Sequence, residues 1–127
     1  MVKKVFITGG AGYIGCVLVP MLLNAGYQVT VYDMLMYGGD GLMHNFSNSN
    51  FKFIHGDVLN KELLHESMAG HDVVIHLAAI VGFPACRMNP DMAKEVNVDG
   101  ILGHIDSKID GEVIDVKTAS GRAFNKF

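Results

Sequence analysis

The sequence is poor in cysteine, has no concentration of basic residues and contains no long apolar run, and each shortage removes a class of protein. Its two cysteines, Cys16 and Cys86, have neither metal-ligand nor redox spacing and are too few for a disulfide framework, so free thiols in a reducing cytoplasm are expected. Lysines and arginines form no run and the net charge is only −3, which gives no basis for a nucleic-acid partner. A membrane span needs about 18 or more consecutive apolar residues. The longest candidate, "VVIHLAAIVGF", is far shorter, and no membrane association is expected. Internal repeats and low-complexity segments are absent as well. One domain commonly takes ~100 to 200 residues, so a chain of 127 residues is expected to hold one domain, with no room for a second that binds a substrate.

What is present is a regular alternation of strand and helix signals. Lys3 and Lys4 followed by apolar residues imitate a secretory signal, but Gly9, Gly10, Gly12 and Gly15 interrupt the apolar stretch where a strand-to-helix turn needs them. Val5 to Thr8 reads as a strand buried on both faces, and Ile14, Val17, Leu18, Met21 and Leu22 give helical spacing up to Gly26, with Pro20 expected to bend the helix. "YQVTVYD" supplies a second strand, and "MLMYGGDGLMHNFSNSN" reads as a mobile loop without a period. "FKFIHGDV" is a third strand. Asn60 is placed to cap a helix carrying Leu63, Leu64 and Met68, and "DVVIHLAA" is a fourth strand. Val98, Ile101, Leu102, Ile105 and Ile109 predict a further helix from Asp91, and "EVIDVKTAS" a last strand. Such alternation implies an α/β protein: a single, incomplete doubly wound parallel sheet of Rossmann type.

Within that order Gly9, Gly12 and Gly15 fall between a predicted strand and a predicted helix, the context in which a glycine-rich turn signals a dinucleotide site. Gly9 would allow the tight turn, Gly12 would admit a pyrophosphate close to backbone, and Gly15 would let the helix pack close to the sheet. The helix N-terminus then offers free N–H groups and the positive end of its dipole to the diphosphate. Asp33 ends the second strand, where a carboxylate accepts from the adenosine ribose hydroxyls and repels a 2′-phosphate.

At these residues the chain resembles the extended short-chain dehydrogenase/reductase family, the NAD-dependent nucleotide-sugar epimerases and dehydratases. "TGGAGYIG", "VTVYD", "HGDV", "HLAA" and "EVNVDG" stand in that family's order, the similarity covering roughly residues 1–100 and the dinucleotide-binding half-domain residues 1–102. The resemblance implies NAD as cofactor. It puts Gly9, Gly12, Tyr13, Ile14 and Gly15 at the diphosphate, Asp33 at the ribose, Asp57 and Val58 at the adenine, and Leu77, Ala78 and Ala79 at the rim of the dinucleotide. Asp57 serves equally well as a turn or cap residue, and His76, inside an apolar strand, reads as a satisfied core group. Asn97 matches an asparagine that the family places near the cofactor.

The family transfers hydride with a tyrosine and a lysine four residues later, and no such pair occurs here. Tyr13, Tyr27, Tyr32 and Tyr37 are followed at that distance by Val17, Val31, Met36 and Gly41. No catalytic residue is assigned, and the expected role is a truncated NAD-binding portion without turnover. Residues 103–127 form an atypical tail, expected to add a strand at 112–118, parallel to 73–78, covering an edge that would otherwise invite homo-oligomers. This tail also resembles the core of phage-type PD-(D/E)xK exonucleases, through Asp106, Asp115 and Lys117. That resemblance implies two carboxylates able to hold Mg²⁺ and a hairpin of 103–109 against 112–118. The same residues read more readily as solvated charges on a helix and an edge strand. A metal-dependent nuclease fragment and a non-catalytic interaction module therefore stand as alternatives to the NAD-binding reading.

Overall fold

The structure, a computed structural model, describes residues 2–79, Asp91 and the backbone of 112–115. β1 (Lys4–Thr8) leads into α1 (Tyr13–Asn24), and β2 (Gln28–Asp33) is followed by a 3₁₀ helix (Asp40–Asn45). β3 (Phe51–His55), α2 (Lys61–Met68), β4 (Val73–His76) and β5 (Glu112–Asp115) complete the order. All five strands are parallel, and they lie side by side as β3-β2-β1-β4-β5. The chain thus winds outward in one direction from β1 through β3, returns, and winds outward in the other, which puts a switch point between β1 and β4.

Alternation along each strand divides the interior into two layers, as the pleat requires. Val5, Ile7, Val29, Val31 and Ile75 join Val19, Leu23 and Leu42 on the α1 side. Phe6, Tyr32 and Val74 join Val58, Leu64 and Met68 on the α2 side. Each such side chain contributes about 1.5–3 kcal/mol on leaving water.

The ends of the helices follow from single residues. Gly26, at φ +91°, closes α1: its N–H donates to Leu23 O, and that of Tyr27 to Leu22 O, the paired bonds that turn a chain out of a helix. α2 begins where the Asn60 side chain accepts from Leu63 N–H at 3.2 Å, as the sequence predicts. Pro20 lies inside α1, which continues through it to Asn24.

Two expectations need correction. The buried seam of α1 is Gly15, Val19 and Leu23, flanked by half-buried Leu18 and Leu22, whereas Val17 and Met21 are exposed. The helix is apolar on nearly every side, so spacing could not choose the face; close approach at Gly15 does. Residues 34–50 are also not a featureless loop. Leu42 in the 3₁₀ helix is 1% exposed, and the Phe46 ring meets Phe51 edge-on at 5.2 Å. Two apolar anchors order a segment whose composition reads as turn.

β5 pairs along β4 in the register Val73↔Glu112 to His76↔Asp115, so β4 is an interior strand and β5 the outermost one described on that side. The helix expected after Asp91, Asn97, the boundary drawn at 102, the segment 103–109, Asp106 and Lys117 lie outside the described residues. Among the described residues no helix is long and apolar enough to cross a membrane.

Candidate functional site

The site forms at the C-terminal ends of β1, β2 and β4. After Thr8 the chain turns at Gly9, whose φ of +71° lies in the left-handed region that favours glycine. Gly9 N–H donates to Tyr32 O at 2.8 Å, and Gly12 N–H donates back to Gly9 O at 3.1 Å. A β-carbon on Gly9 would stand 2.5 Å from the Ala78 nitrogen, so this glycine permits backbone contact between the turn after β1 and the turn after β4. One on Gly15 would run into the backbone of Gly10, so the helix seats against the turn itself rather than on the sheet as such. At Gly12 the nearest atom is Gly9 O, 3.3 Å away. Gly12 also caps α1 without any side-chain hydrogen bond, and the first turn carries no acidic residue. The positive end of the helix is therefore left for an anion from outside.

Asp33 is oriented by two backbone donors. Its Oδ2 accepts from Ala11 N–H at 3.0 Å and its Oδ1 from Leu35 N–H at 2.7 Å, Leu35 itself adopting φ +59°. A carboxylate offers about four lone-pair positions, so each oxygen keeps capacity for a hydroxyl in the cleft. Asp57 does act as a turn residue, Oδ1 accepting from Leu59 N–H at 2.9 Å, while its carbonyl takes the Tyr32 hydroxyl at 2.7 Å and Asn60 N–H at 2.9 Å. Burial and, secondarily, the Asp57 charge push the Tyr32 phenol above its ordinary range, which keeps that donor protonated. Burial, with a smaller contribution from Asp33, likewise raises the Cys16 thiol, whose Sγ lies 3.4 Å from Ala11 O.

These groups enclose a cavity of about 890 Å³. Gly9, Gly12, Tyr13, Ile14, Gly15, Asp33, Asp57, Val58, Leu77, Ala78 and Ala79 all line it, so the residues singled out in the sequence are brought to one place. Sequence reasoning missed Cys16, Tyr32, Tyr37 and Gly56, which line it too. A signal for one of them existed: Gly56 stands inside "HGDV", and a β-carbon there would overlap the Tyr32 ring. Tyr37 gave none, because it comes from the connection read as a mobile loop. His76, taken as a core group, is buried, with Nδ1 2.6 Å from Thr8 Oγ1. Among the described residues no cluster of His, Cys, Asp or Glu could hold a metal ion.

Residues 6–116 match the model of the 3-beta hydroxysteroid dehydrogenase/isomerase family. A UDP-N-acetyl-alpha-D-glucosaminuronate decarboxylase of Bacillus cytotoxicus is 32% identical over 126 residues, which cover 99% of this chain and 39% of that protein. The CDP-paratose 2-epimerase of Salmonella typhi is 35% identical over 108 residues, 82% of this chain and 32% of that one. In three dimensions the epimerase Mth375 of Methanothermobacter thermautotrophicus superposes with a TM-score of 0.74 at 33% identity, over 82% of this chain and 31% of its own. DesIV of Streptomyces venezuelae, a dTDP-glucose 4,6-dehydratase with NAD and TYD bound, gives 0.71 at 31% identity, over 77% of this chain and 33% of its own. The chain spans less than two-fifths of the length of each of these relatives.

These matches lend nothing to the nuclease reading of 103–127, since the family match runs on to residue 116 and the decarboxylase alignment covers 99% of the chain. Asp115, one of its two candidate Mg²⁺ ligands, ends a strand of the same parallel sheet. From the glycine turn through β5, the chain belongs to the 3-beta hydroxysteroid dehydrogenase/isomerase family, as the N-terminal portion of an extended short-chain dehydrogenase/reductase.

Proposed function

We propose that these residues are the NAD-binding portion of an NAD-dependent epimerase/dehydratase acting on a nucleotide sugar. The observation that carries the reading is the pairing of an uncapped, acid-free helix N-terminus with a strand-end carboxylate whose orientation is set by the glycine turn, both facing one cavity. In this reading the amides of the Gly12–Gly15 stretch hold the diphosphate, where the dipole of α1 favours negative charge. Asp33 accepts from the adenosine ribose hydroxyls, and its charge disfavours a 2′-phosphate. Asp57 and Val58 border the adenine, while Leu77, Ala78 and Ala79 exclude water along the rim. NAD supplies the hydride acceptor when bound. No tyrosine of the 127 residues has a lysine four places on, so these residues are assigned cofactor binding and no catalytic role.

Thermal denaturation with added ligand tests this. A ligand at 100 times its Kd adds about 2.7 kcal/mol. NAD is expected to raise Tm, NADP to do so only at much higher concentration, and Mg²⁺ to leave it unchanged. A shift with Mg²⁺ and none with NAD would return the nuclease alternative to the front. Conversion of a nucleotide sugar by this polypeptide, at a rate near that of an intact relative, would refute the absence of turnover.

A further inference from the structure

We infer that Thr8 and His76 are a buried positioning pair that sets the width of the crevice at the switch point, and with it the grip on the part of a dinucleotide that crosses from β1 to β4. This rests on the reading of the cavity as a dinucleotide site and extends it to two residues that do not line it. Thr8 and His76 are the last residues of β1 and β4 and stand directly opposite each other in register. Beyond them the two connections part, one into the glycine turn, the other into Leu77–Ala79. An open sheet has its crevice at this point, where the backbone ladder between the two strands ends.

A chain of hydrogen bonds continues the ladder past that end. Leu77 N–H donates to Thr8 O at 2.9 Å, and Ala78 N–H donates to Thr8 Oγ1 at 3.3 Å. Thr8 Oγ1 lies 2.6 Å from His76 Nδ1. With Ala78 N–H donating into the hydroxyl oxygen, the Thr8 proton is free to go to Nδ1, so that the threonine bridges histidine and alanine. Thr8 is 0% exposed and His76 3%, so water cannot replace either partner. The contact they hold is a tight one: a β-carbon on Gly9 would overlap both Ala78 N and Leu77 C, 2.5 and 2.7 Å away. Release of Ala78 N–H lets its turn move off Gly9, and the rim formed by Leu77, Ala78 and Ala79 moves with it. Asp33 keeps its donors from Ala11 and Leu35 and Asp57 its donor from Leu59, none of which involves the turn after β4.

The inference is tested with Thr8→Val, which keeps the shape and removes the hydroxyl, and Thr8→Ser, which keeps the hydroxyl. Calorimetric titrations use NAD and, as a probe that needs only the Asp33 side, AMP. Thr8→Val is expected to raise the Kd for NAD about tenfold while changing that for AMP less than about twofold, and Thr8→Ser to restore NAD binding. His76→Leu should behave as Thr8→Val does, and His76→Asn, which offers a polar atom near the position of Nδ1, should recover part of the loss. NAD and AMP weakening by the same factor, in step with a lower Tm, would reduce the pair to a purely structural role. Unaltered NAD binding in Thr8→Val would also overturn the inference while leaving the NAD reading intact, whereas a wild-type chain that binds neither ligand overturns that reading first.

Discussion

Two glycine-rich connections follow β1 and β2 in this molecule, and their glycines are there for different reasons. Between β1 and α1, Gly9 and Gly15 are hemmed in by backbone, Ala78 on one side and Gly10 on the other, so no side chain fits at either. After β2, Gly38 has a φ of +84° and nothing within 4 Å of where a β-carbon would stand. Gly39 has only the Leu35 side chain beside it, at 3.0 Å. Closeness of backbone rules out a side chain at Gly9 and Gly15, whereas at Gly38 backbone rotation alone favours glycine. The first connection leaves the N-terminus of α1 facing the cavity; the second takes its order from Leu42, which is buried in the core, and from the half-exposed Phe46 ring packed on Phe51 and Phe53. Composition alone makes the two look alike, and the neighbours of each glycine separate them.

The largest effect expected from that contrast is at Gly15. Gly15→Val forces α1 off the turn at Gly10 and should destabilise by upwards of about 4 kcal/mol, read by urea denaturation, because the obstacle is the Gly10 backbone rather than a side chain that could yield. A variant that folds with near wild-type stability would mean that the helix and the turn are not in contact. Next is Leu42→Ala, expected to cost about 3 kcal/mol as a truncation in the core layer beneath α1. A loss below about 0.5 kcal/mol would restore the view of residues 34–50 as a loop without anchors.

Asp33→Ala sharpens the comparison where the two connections touch, since its carboxylate takes a donor from each, Ala11 N–H and Leu35 N–H. NAD affinity should fall about tenfold or more and the preference over NADP should shrink. Equal binding by wild type and variant would remove Asp33 from the cofactor. Gly38→Ala should cost only about 1–2 kcal/mol, the left-handed penalty alone, with NAD affinity retained, and Gly38→Asn less still.

The smallest effect concerns pH. His71 has Nδ1 3.1 Å from Met68 O and Nε2 2.9 Å from Thr30 Oγ1, with its ring edge-on to Phe6 at 5.2 Å. Its pKa lies below the ordinary value, chiefly because of burial, with Lys4 and Lys52 adding to the effect against two backbone bonds that oppose it. The native state thus binds its proton less readily than the unfolded chain does. The contribution of His71 is complete above about pH 6.5 and is lost as pH falls through the lower native value. Denaturant midpoints taken between pH 7.5 and 5 should decline, and His71→Gln should flatten the decline; an identical slope in the variant would clear His71 of the effect.

Much of this was legible in one dimension because its causes are local. Asn60 at the head of α2 and Gly26 at the tail of α1 act within a few residues, and the glycine turn and Asp33 at the end of β2 stand out by residue type and spacing, so the alternating strands and helices and the residues that line the cavity could be read directly. The seam of α1 could not, because an almost wholly apolar helix carries no period, and only the approach of Gly15 to Gly10 chooses Val19 and Leu23 over Val17 and Met21. The anchoring of residues 34–50 was hidden for a similar reason: Leu42 gains its place in a core cluster whose other members come from β1, α1, β2 and β4. Local propensity and spacing determined which elements form and what kind of ligand the first turn suits. The tertiary structure alone decided which side of α1 is buried, and it brought Thr8 and His76, 68 residues apart, within hydrogen-bonding distance at the switch point, because such contacts depend on where strands lie in the sheet and not on their neighbours in sequence.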